Sequence, residues 1–314
     1  MFQRRVLSLS ICILFGCLSV TVAQRSDLAA RFYQHGMEKL DAADFDGAIL
    51  DFTRAIGVNS GLRPTNSLTS GSQVSVNKFA DSGIAVVDPF TANAYTGRGL
   101  AFYRKGEYDA AMADWNRAIR INPRLASAYS NRACAYYVAG DKQAALVDWN
   151  RAIQLDNRLA QAYSNRGGLK HDLRDIDGAW ADLNKAIELD PTNGSPFSHR
   201  GYLWLEKHDY EKAIADFNRA LDLAPELVLA RQGRGAARMS TSELDLAVAD
   251  FDEALRLDPN LVVGYVNRGL AYLILGKSEA AERDFQRVLS LRPGLRAELE
   301  NRKKMALELR AKRN

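Results

Sequence analysis

Cysteine and histidine are scarce in this chain, with three and four residues among 314. Cys12 and Cys17 lie near the amino terminus, so Cys134 is alone in the rest of the chain and no internal disulfide can stabilise that part. The histidines lack the spacing typical of metal ligands, and no cysteine pair accompanies them. No nucleophile motif occurs either. The sequence therefore predicts no metal, no other cofactor and no enzyme.

A basic surface is also missing from most of the chain. The net charge is +4, but Arg4 and Arg5 contribute two of these charges, and residues 296–314 hold seven Lys or Arg against three Glu. The body between these ends has a net charge of −2. A body without excess positive charge gives no reason to expect a nucleic-acid partner.

The amino terminus has the layout of a secretory signal peptide. The short basic stretch Met1–Arg5 precedes an apolar run, and small residues before a cut after Ala23 suit the cleaving peptidase. We therefore exclude residues 1–23 from the fold and expect an exported protein, most simply one of a bacterial periplasm. A secreted protein, an uncleaved membrane anchor and a lipoprotein acylated on Cys17 stay open as alternatives. A mature amino terminus at Gln24 or at a diacylated Cys17, read by mass spectrometry, separates cleavage from lipidation.

A 34-residue repeat dominates the rest of the sequence. The copy Ala92–Leu125 is followed without insertion or deletion by copies that begin at Ala126, Ala160, Gly194, Val228 and Val262, so six copies fill 92–295. One earlier copy, Ala29–Leu62, lies within 24–62. A Ser-, Asn- and Gly-rich insert, 63–91, separates it from the others and is either a mobile loop or an ordered flap. A fixed period of this length is typical of stacked helix pairs.

Each copy carries the same pattern of small and large residues. Positions 8 and 20 are Gly or Ala, as at Gly99 and Ala111, and position 24 is large, as at Trp115. With the aromatic residues at positions 4 and 11 and the proline at 32, this pattern resembles the tetratricopeptide repeat from Ala29 to Leu295, apart from the insert. The resemblance implies an all-α, right-handed solenoid of seven helix pairs, whose concave face, lined by the first helices, commonly holds an extended peptide or a partner helix.

The basic tail that follows the last copy is not another repeat. Residues 296–314 favour a helix in which leucines alternate with charges. We interpret this segment as a polar-faced capping helix that closes the stack. A basic arm for anionic lipid or nucleic acid is the alternative.

A basic residue at position 7 and an aspartate at position 23 recur together in every copy, with His35 and Asp51 in the first. We predict that they pair across each helix hairpin through charge-assisted hydrogen bonds. The alternative is a ladder of arginines for acidic ligands. In the six contiguous copies the predicted structural pairs are Arg98 with Asp114, Arg132 with Asp148, Arg166 with Asp182, Arg200 with Asp216, Arg234 with Asp250, and Arg268 with Asp284.

Two copies depart from this pattern. Lys170 and Arg174 replace an aromatic residue and the turn glycine in one copy, and Arg231, Arg238 and Ser242 make similar replacements in another. Lost aromatic packing would make these copies softer joints of the stack. They could equally be the places where a partner is held.

The family's geometry directs positions 2, 5, 6, 9, 12 and 13 of the first helices into the groove. Asparagine amides there can bond a peptide backbone in both directions, and tyrosines offer rigid contact area. The sequence thus predicts a scaffold that binds a protein or an extended peptide, with a recognition module for an envelope glycan or polymer as the alternative; it leaves the oligomeric state open. The candidate groove residues are Tyr103, Ser130, Asn131, Tyr137, Ser164, Asn165, His171, His199, Tyr202 and Asn267.

Overall fold

A computed structural model describes residues 24–59 and 89–313. The predicted signal peptide and almost all of the predicted insert lie outside the described residues. Within them the chain consists of helices joined by short turns, with no strand. None of these helices has both the length and the apolar character that crossing a bilayer would require. The fold class is all-α, as the sequence predicts.

The helices follow one another as hairpins, and the chain divides into two compact units between Asn157 and Arg158. The first unit holds α1 (24–41), α2 (Phe45–Asn59), α3 (Pro89–Arg104), α4 (Tyr108–Ile121), α5 (Ala126–Val138) and α6 (Lys142–Leu155). The second holds α7 (Ala160–Asp172), α8 (Ile176–Leu189), α9 (Gly194–Glu206), α10 (Tyr210–Leu223), α11 (Val228–Ser240), α12 (Leu244–Leu257), α13 (Val262–Ile274), α14 (Ser278–Leu291) and α15 (Arg296–Arg313). Odd-numbered helices up to α13 are the first helices of their copies, and α3 begins three residues before the predicted copy start.

The turn inside each hairpin depends on one left-handed residue at position 15. Gly106, Gly140 and Gly276 have φ near +80°. Arg174 (φ 64°) and Ser242 (φ 67°) adopt the same conformation in the two departing copies. Ala43 and His208 adopt it in two other copies. A side chain in this region costs roughly 1–2 kcal/mol. The turn geometry is therefore retained even where its glycine is lost.

Within each copy, the large residue at position 24 fills a space that only small neighbours leave open. Phe217 on α10 is completely buried. A Cβ atom built on Gly201 of α9 would lie 2.7 Å from the Phe217 ring, and one built on Gly233 of α11 would lie closer still. The phenyl ring thus occupies the junction of three helices, which is why position 8 of the same copy is always glycine or alanine.

The first helices form the inner layer of each unit. In the second unit α7 contacts α9, α9 contacts α11, α11 contacts α13, and α13 contacts α15. Among the described residues of this unit no comparable contact joins successive second helices. Because the first helices lie closer to one another than the second helices do, the stack bends towards the first helices. The first helices therefore present the concave face, hereafter the first-helix face.

The last helix, α15, covers the core of the last copy. Leu299 and Ala306 are 2% and 4% exposed and pack with Val266 of α13 and Phe285 of α14. The ammonium group of Lys303 lies 5.1 Å from the centre of the Phe285 ring. A helix that covers the final core in this way does what a capping helix does.

Candidate functional site

The arginine at position 7 and the aspartate at position 23 meet in a two-pronged ion pair. Arg98 donates from Nε to Asp114 at 2.7 Å and from Nη2 to its other carboxylate oxygen at 2.8 Å. The two residues are only 5% and 3% exposed. The same geometry joins Arg132 to Asp148, Arg166 to Asp182, Arg200 to Asp216, Arg234 to Asp250, and Arg268 to Asp284. These guanidinium groups are committed to the hairpins, which argues against the ladder for acidic ligands.

In the first copy, the buried aspartate at position 23 pairs with residues other than the one at position 7. Asp51 is 2% exposed and pairs with Lys39 at 2.6 Å and with Arg54 at 3.0 Å. His35 is exposed. The prediction that His35 is the partner of Asp51 is therefore wrong, because the longer side chain of Lys39, one turn further along α1, reaches the carboxylate.

The same arginines also join neighbouring copies through Nη1. In Arg132 this atom donates to Oδ1 of Asn116 in the preceding copy, at 2.6 Å. Position 25 of the preceding copy provides the acceptor for four further arginines: Thr53 for Arg98, Asn184 for Arg200, Asn218 for Arg234 and Asp252 for Arg268. Sequence reasoning missed this contact. Its signal is the run of Asn, Asp and Thr that directly follows the large residue at position 24.

The two departing copies have replacement contacts where aromatic residues are lost. Lys170 approaches Asp182 at 2.9 Å, and Arg238 approaches Asp250 at 2.8 Å. Arg231 donates to the backbone oxygen of Pro225 at 2.8 Å. A tyrosine hydroxyl makes the equivalent bond in the next copy, from position 4 to Pro259. Each of the three residues that replace an aromatic side chain, Lys170, Arg231 and Arg238, therefore supplies an ion pair or a hydrogen bond.

The structure removes three residues from the predicted groove set. Ser130, Ser164 and Asn267 are 5%, 0% and 8% exposed, so they cannot form a contact surface. Position 5 lies close to the second helix of its own copy, since the Trp115 indole donates to the backbone oxygen of Thr96. Asn267 is covered by α15, where Arg302 donates to its Oδ1 at 3.1 Å.

The other predicted groove residues keep some exposure, and most of them also pack. Tyr137 is 40% exposed, and Asn131 is partly exposed. Tyr103 lies against Tyr108 and Trp115. Tyr202 donates its hydroxyl hydrogen to the backbone oxygen of Leu229 at 3.0 Å, and burial raises its pKa. Tyr103 and Tyr202 therefore support the first-helix face as well as contribute to it.

On the second unit, a polar strip runs along α7 and α9. His171 Nε2 lies 3.0 Å from Glu206 Oε1, to which Arg174 also donates at 2.9 Å. Nearby, Gln161 donates to Asn165 Oδ1 at 2.8 Å and accepts from Asn193 at 3.1 Å. Side-chain amides and a histidine can exchange hydrogen bonds with both the N–H and C=O groups of a peptide.

The strip gives way to apolar residues further along the same face. Leu229 of α11 and Val263 of α13, both at position 2, are 39% and 36% exposed. The first-helix face of the second unit thus offers hydrogen-bonding groups at one end and apolar contact area at the other.

Among the described residues, no group of three or more His, Cys, Asp or Glu side chains could hold a metal ion.

His199 stands at the edge of the polar strip and makes the second unit sensitive to acid. Its Nδ1 is buried without a hydrogen-bond partner, and burial, with a smaller effect of His171, lowers its pKa to about 4. The unfolded chain binds a proton near pH 6.5, so the folded state loses stability as the pH falls from that value towards 4. We expect a loss of roughly 2 kcal/mol between pH 7 and pH 4.5 from this group.

The variant His199→Asn introduces the residue that Asn131 and Asn165 provide at the same repeat position. It should reduce the loss of stability between pH 7 and pH 4.5. Urea unfolding at several pH values measures it. Leu246→Asn, at an exposed residue of α12 that does not titrate, provides the control and should leave the slope unchanged. Equal slopes for the wild type and His199→Asn would contradict the assignment.

Comparisons with known proteins identify the repeats. Tetratricopeptide repeat families match residues 99–140, 160–193, 196–227 and 263–294. A sequence search of curated proteins found no match. The chain is a tetratricopeptide repeat protein, and the repeats that its sequence resembles are the repeats that its helices form.

Solved structures with the same fold include proteins of several kinds. A chain of the Cut9–Hcn1 hetero-tetramer of the APC/C aligns with a TM-score of 0.63 and 16% identity over 84% of this chain and 52% of that one, so this chain spans about half of its length. A tetratricopeptide repeat protein from Parabacteroides merdae aligns with a TM-score of 0.55 and 19% identity, over 91% and 99%. The pilF protein of Pseudomonas aeruginosa has the same TM-score and identity, over 65% and 92%. At these identities the likeness concerns the fold.

Proposed function

We propose that this protein is a non-enzymatic, exported scaffold that binds a protein partner, most simply an extended peptide segment, on the first-helix face. Tetratricopeptide repeats are typical of protein-interaction scaffolds and are generally non-catalytic. The observation that carries the proposal is the second unit's first-helix face, where His171, Asn165 and Gln161 lead to exposed Leu229 and Val263.

This order of groups favours an extended peptide over a rigid globular surface. A peptide in extended conformation exposes N–H and C=O groups along its length, and side-chain amides satisfy both. Its apolar side chains would lie on Leu229 and Val263, because apolar burial supplies most of the favourable free energy of association. The arginines of the hairpins stay paired with their aspartates and take no part.

Crosslinking tests the proposal in the native host. A photoreactive amino acid at position 165 should yield a discrete crosslinked protein, because Asn165 lies on the first-helix face. The matched control places the same amino acid at position 246, where Leu246 is 50% exposed on the second helix α12; this position should give no such band. His171→Ala should reduce the crosslink by about tenfold, the effect of one lost 1.4 kcal/mol contact.

Three outcomes would count against the proposal. The absence of a species specific to position 165 would remove the groove hypothesis, and equal bands from positions 165 and 246 would point to non-specific capture. Binding of purified envelope polymer without any protein would instead support the glycan or polymer alternative.

A further inference from the structure

The last helix, α15, leaves most of its surface uncovered. It packs on the body through a narrow stripe that includes Leu299 and Ala306. About 100° around the helix from that stripe, Met305 and Leu309 are 63% and 53% exposed. The two side chains are one turn apart, so they form one small exposed apolar strip along α15.

Charged residues surround this apolar pair in a symmetric order. Glu298, Met305 and Lys312 are seven residues apart and share one helix face. The Glu298 side chain is 64% exposed, and Lys312 is exposed. Glu298 lies at one end of this face and Lys312 at the other, each seven residues from Met305. The face is therefore complementary to a second copy of itself in the reversed direction.

We propose that α15 is a self-association surface, on which the α15 helices of two copies of this protein pair antiparallel about Met305. Glu298 of each copy then faces Lys312 of the other, and the two Met305 side chains meet at the centre. Leu309 faces Asn301 of the other copy, and Arg302 faces Glu308. Each charged residue of the face meets one of opposite sign.

The charges select this orientation over others. A parallel pair would oppose Glu298 to Glu298 and Lys312 to Lys312, and like charges in contact are destabilising. The residues of the paired face also sum to zero, although α15 as a whole is basic. Outside the paired face, Lys303 serves the body and the helix itself, since it pairs with Glu282 and Glu300. A neutral face is a poor match for an anionic lipid or nucleic acid.

The small size of the face is typical of a weak association. The 18 residues of α15 span about 27 Å. A single pair of such helices falls in the class of interfaces below about 1,200 Å², which characterises weak complexes. We therefore expect a reversible dimer in rapid exchange with the monomer, with a dissociation constant in the micromolar range.

Sedimentation equilibrium of the mature chain tests the pairing. Met305→Glu should weaken the dimer by at least about tenfold, because two carboxylates would meet at the centre. Glu298→Lys and Lys312→Glu should each weaken it as well. The double variant that exchanges the two charges should recover the affinity of the wild type, since every opposition is restored. Leu246→Glu, at an exposed apolar residue of α12, is the matched control and should have no effect.

Circular dichroism and thermal unfolding of each variant show whether α15 is still folded. A wild-type protein that remains monomeric at high concentration overturns the proposal, as does a dimer that survives Met305→Glu. Failure of the charge exchange to restore what each single charge change removes would exclude the antiparallel register. Binding of α15 to anionic vesicles in place of self-association would assign the helix to a membrane surface instead.

Discussion

Replacing Arg98 by alanine is expected to lower the free energy of unfolding by about 3–5 kcal/mol. The carboxylate of Asp114 is 3% exposed and receives two hydrogen bonds from the guanidinium group, at 2.7 and 2.8 Å. Without Arg98 that carboxylate stays buried with no opposite charge. The bond from Arg98 to Thr53 of the preceding copy, at 3.0 Å, is lost as well. Urea unfolding of the variant and the wild type measures the difference.

The cost of this substitution should depend on pH. Burial raises the pKa of Asp114, and Arg98 opposes the shift, so its removal moves the pKa further upwards. Above the folded pKa the carboxylate must be buried as an anion. Below it the group is neutral, and the penalty disappears as the pH falls towards the pKa of the unfolded chain. The deficit of Arg98→Ala should therefore shrink in acid, and a deficit independent of pH would contradict the explanation.

Two further variants separate the ion pair from its surroundings. Arg98→Met combined with Asp114→Leu removes both charges and keeps the apolar volume, so it should cost much less than Arg98→Ala alone. Arg124→Ala, at an exposed arginine of the same copy, should change stability by no more than about 0.5 kcal/mol. If the charge-free pair is as unstable as Arg98→Ala, packing rather than the unpaired carboxylate accounts for the loss.

Phe217→Ala should destabilise the second unit by about 3–5 kcal/mol. The ring is 0% exposed and fills the junction of α9, α10 and α11. Truncation leaves a cavity that Gly201 and Gly233 cannot fill, because neither has a side chain. Thermal unfolding of the variant should show this loss, whereas Leu246→Ala, at an exposed leucine of α12, should stay within about 0.5 kcal/mol of the wild type.

The opposite change tests the same junction from the other side. Gly233→Ala adds a Cβ that would overlap the Phe217 ring, and overpacking of this kind costs typically about 1–3 kcal/mol. Phe217→Leu should relieve part of that cost, because leucine, which occupies the same repeat position at Leu183, is shorter than phenylalanine. Additive effects of Gly233→Ala and Phe217→Leu would mean that the two residues do not share this space.

The sequence predicts the fold of this protein well because the fold repeats. The seven aligned copies show which positions must be small, large or left-handed, because tertiary packing places the same requirement on a given position in every copy. The pairing of Arg98 with Asp114 could be foreseen for this reason. The pairing of Asp51 with Lys39 could not, because the first copy has no arginine at position 7 and the distance that a side chain spans decides its partner.

The candidate site is less readable from the sequence. Ser164 and Asn165 are neighbours of similar polarity, yet Ser164 is completely buried and Asn165 is partly exposed. A rotation of about 100° between adjacent helical residues separates them, and the position of the covering second helix decides which one it hides. Asn267 illustrates a different limit, since only the placement of α15 removes it from the surface. Predicting which residues line the groove therefore requires the packing of the helices, whereas the repeat period alone is enough to predict the stack.

The bond from five of the hairpin arginines to position 25 of the preceding copy has an energetic consequence for the array. In a one-dimensional stack, stability is the sum of a term for each unit and a coupling term for each pair of neighbours. Arg98, Arg132, Arg200, Arg234 and Arg268 contribute to both terms at once, through Asp at position 23 and through the preceding copy. A substitution there cannot loosen a hairpin and leave its coupling intact. The first copy, whose Asp51 is neutralised from within by Lys39 and Arg54, takes part in this coupling only through Thr53, the acceptor for Arg98.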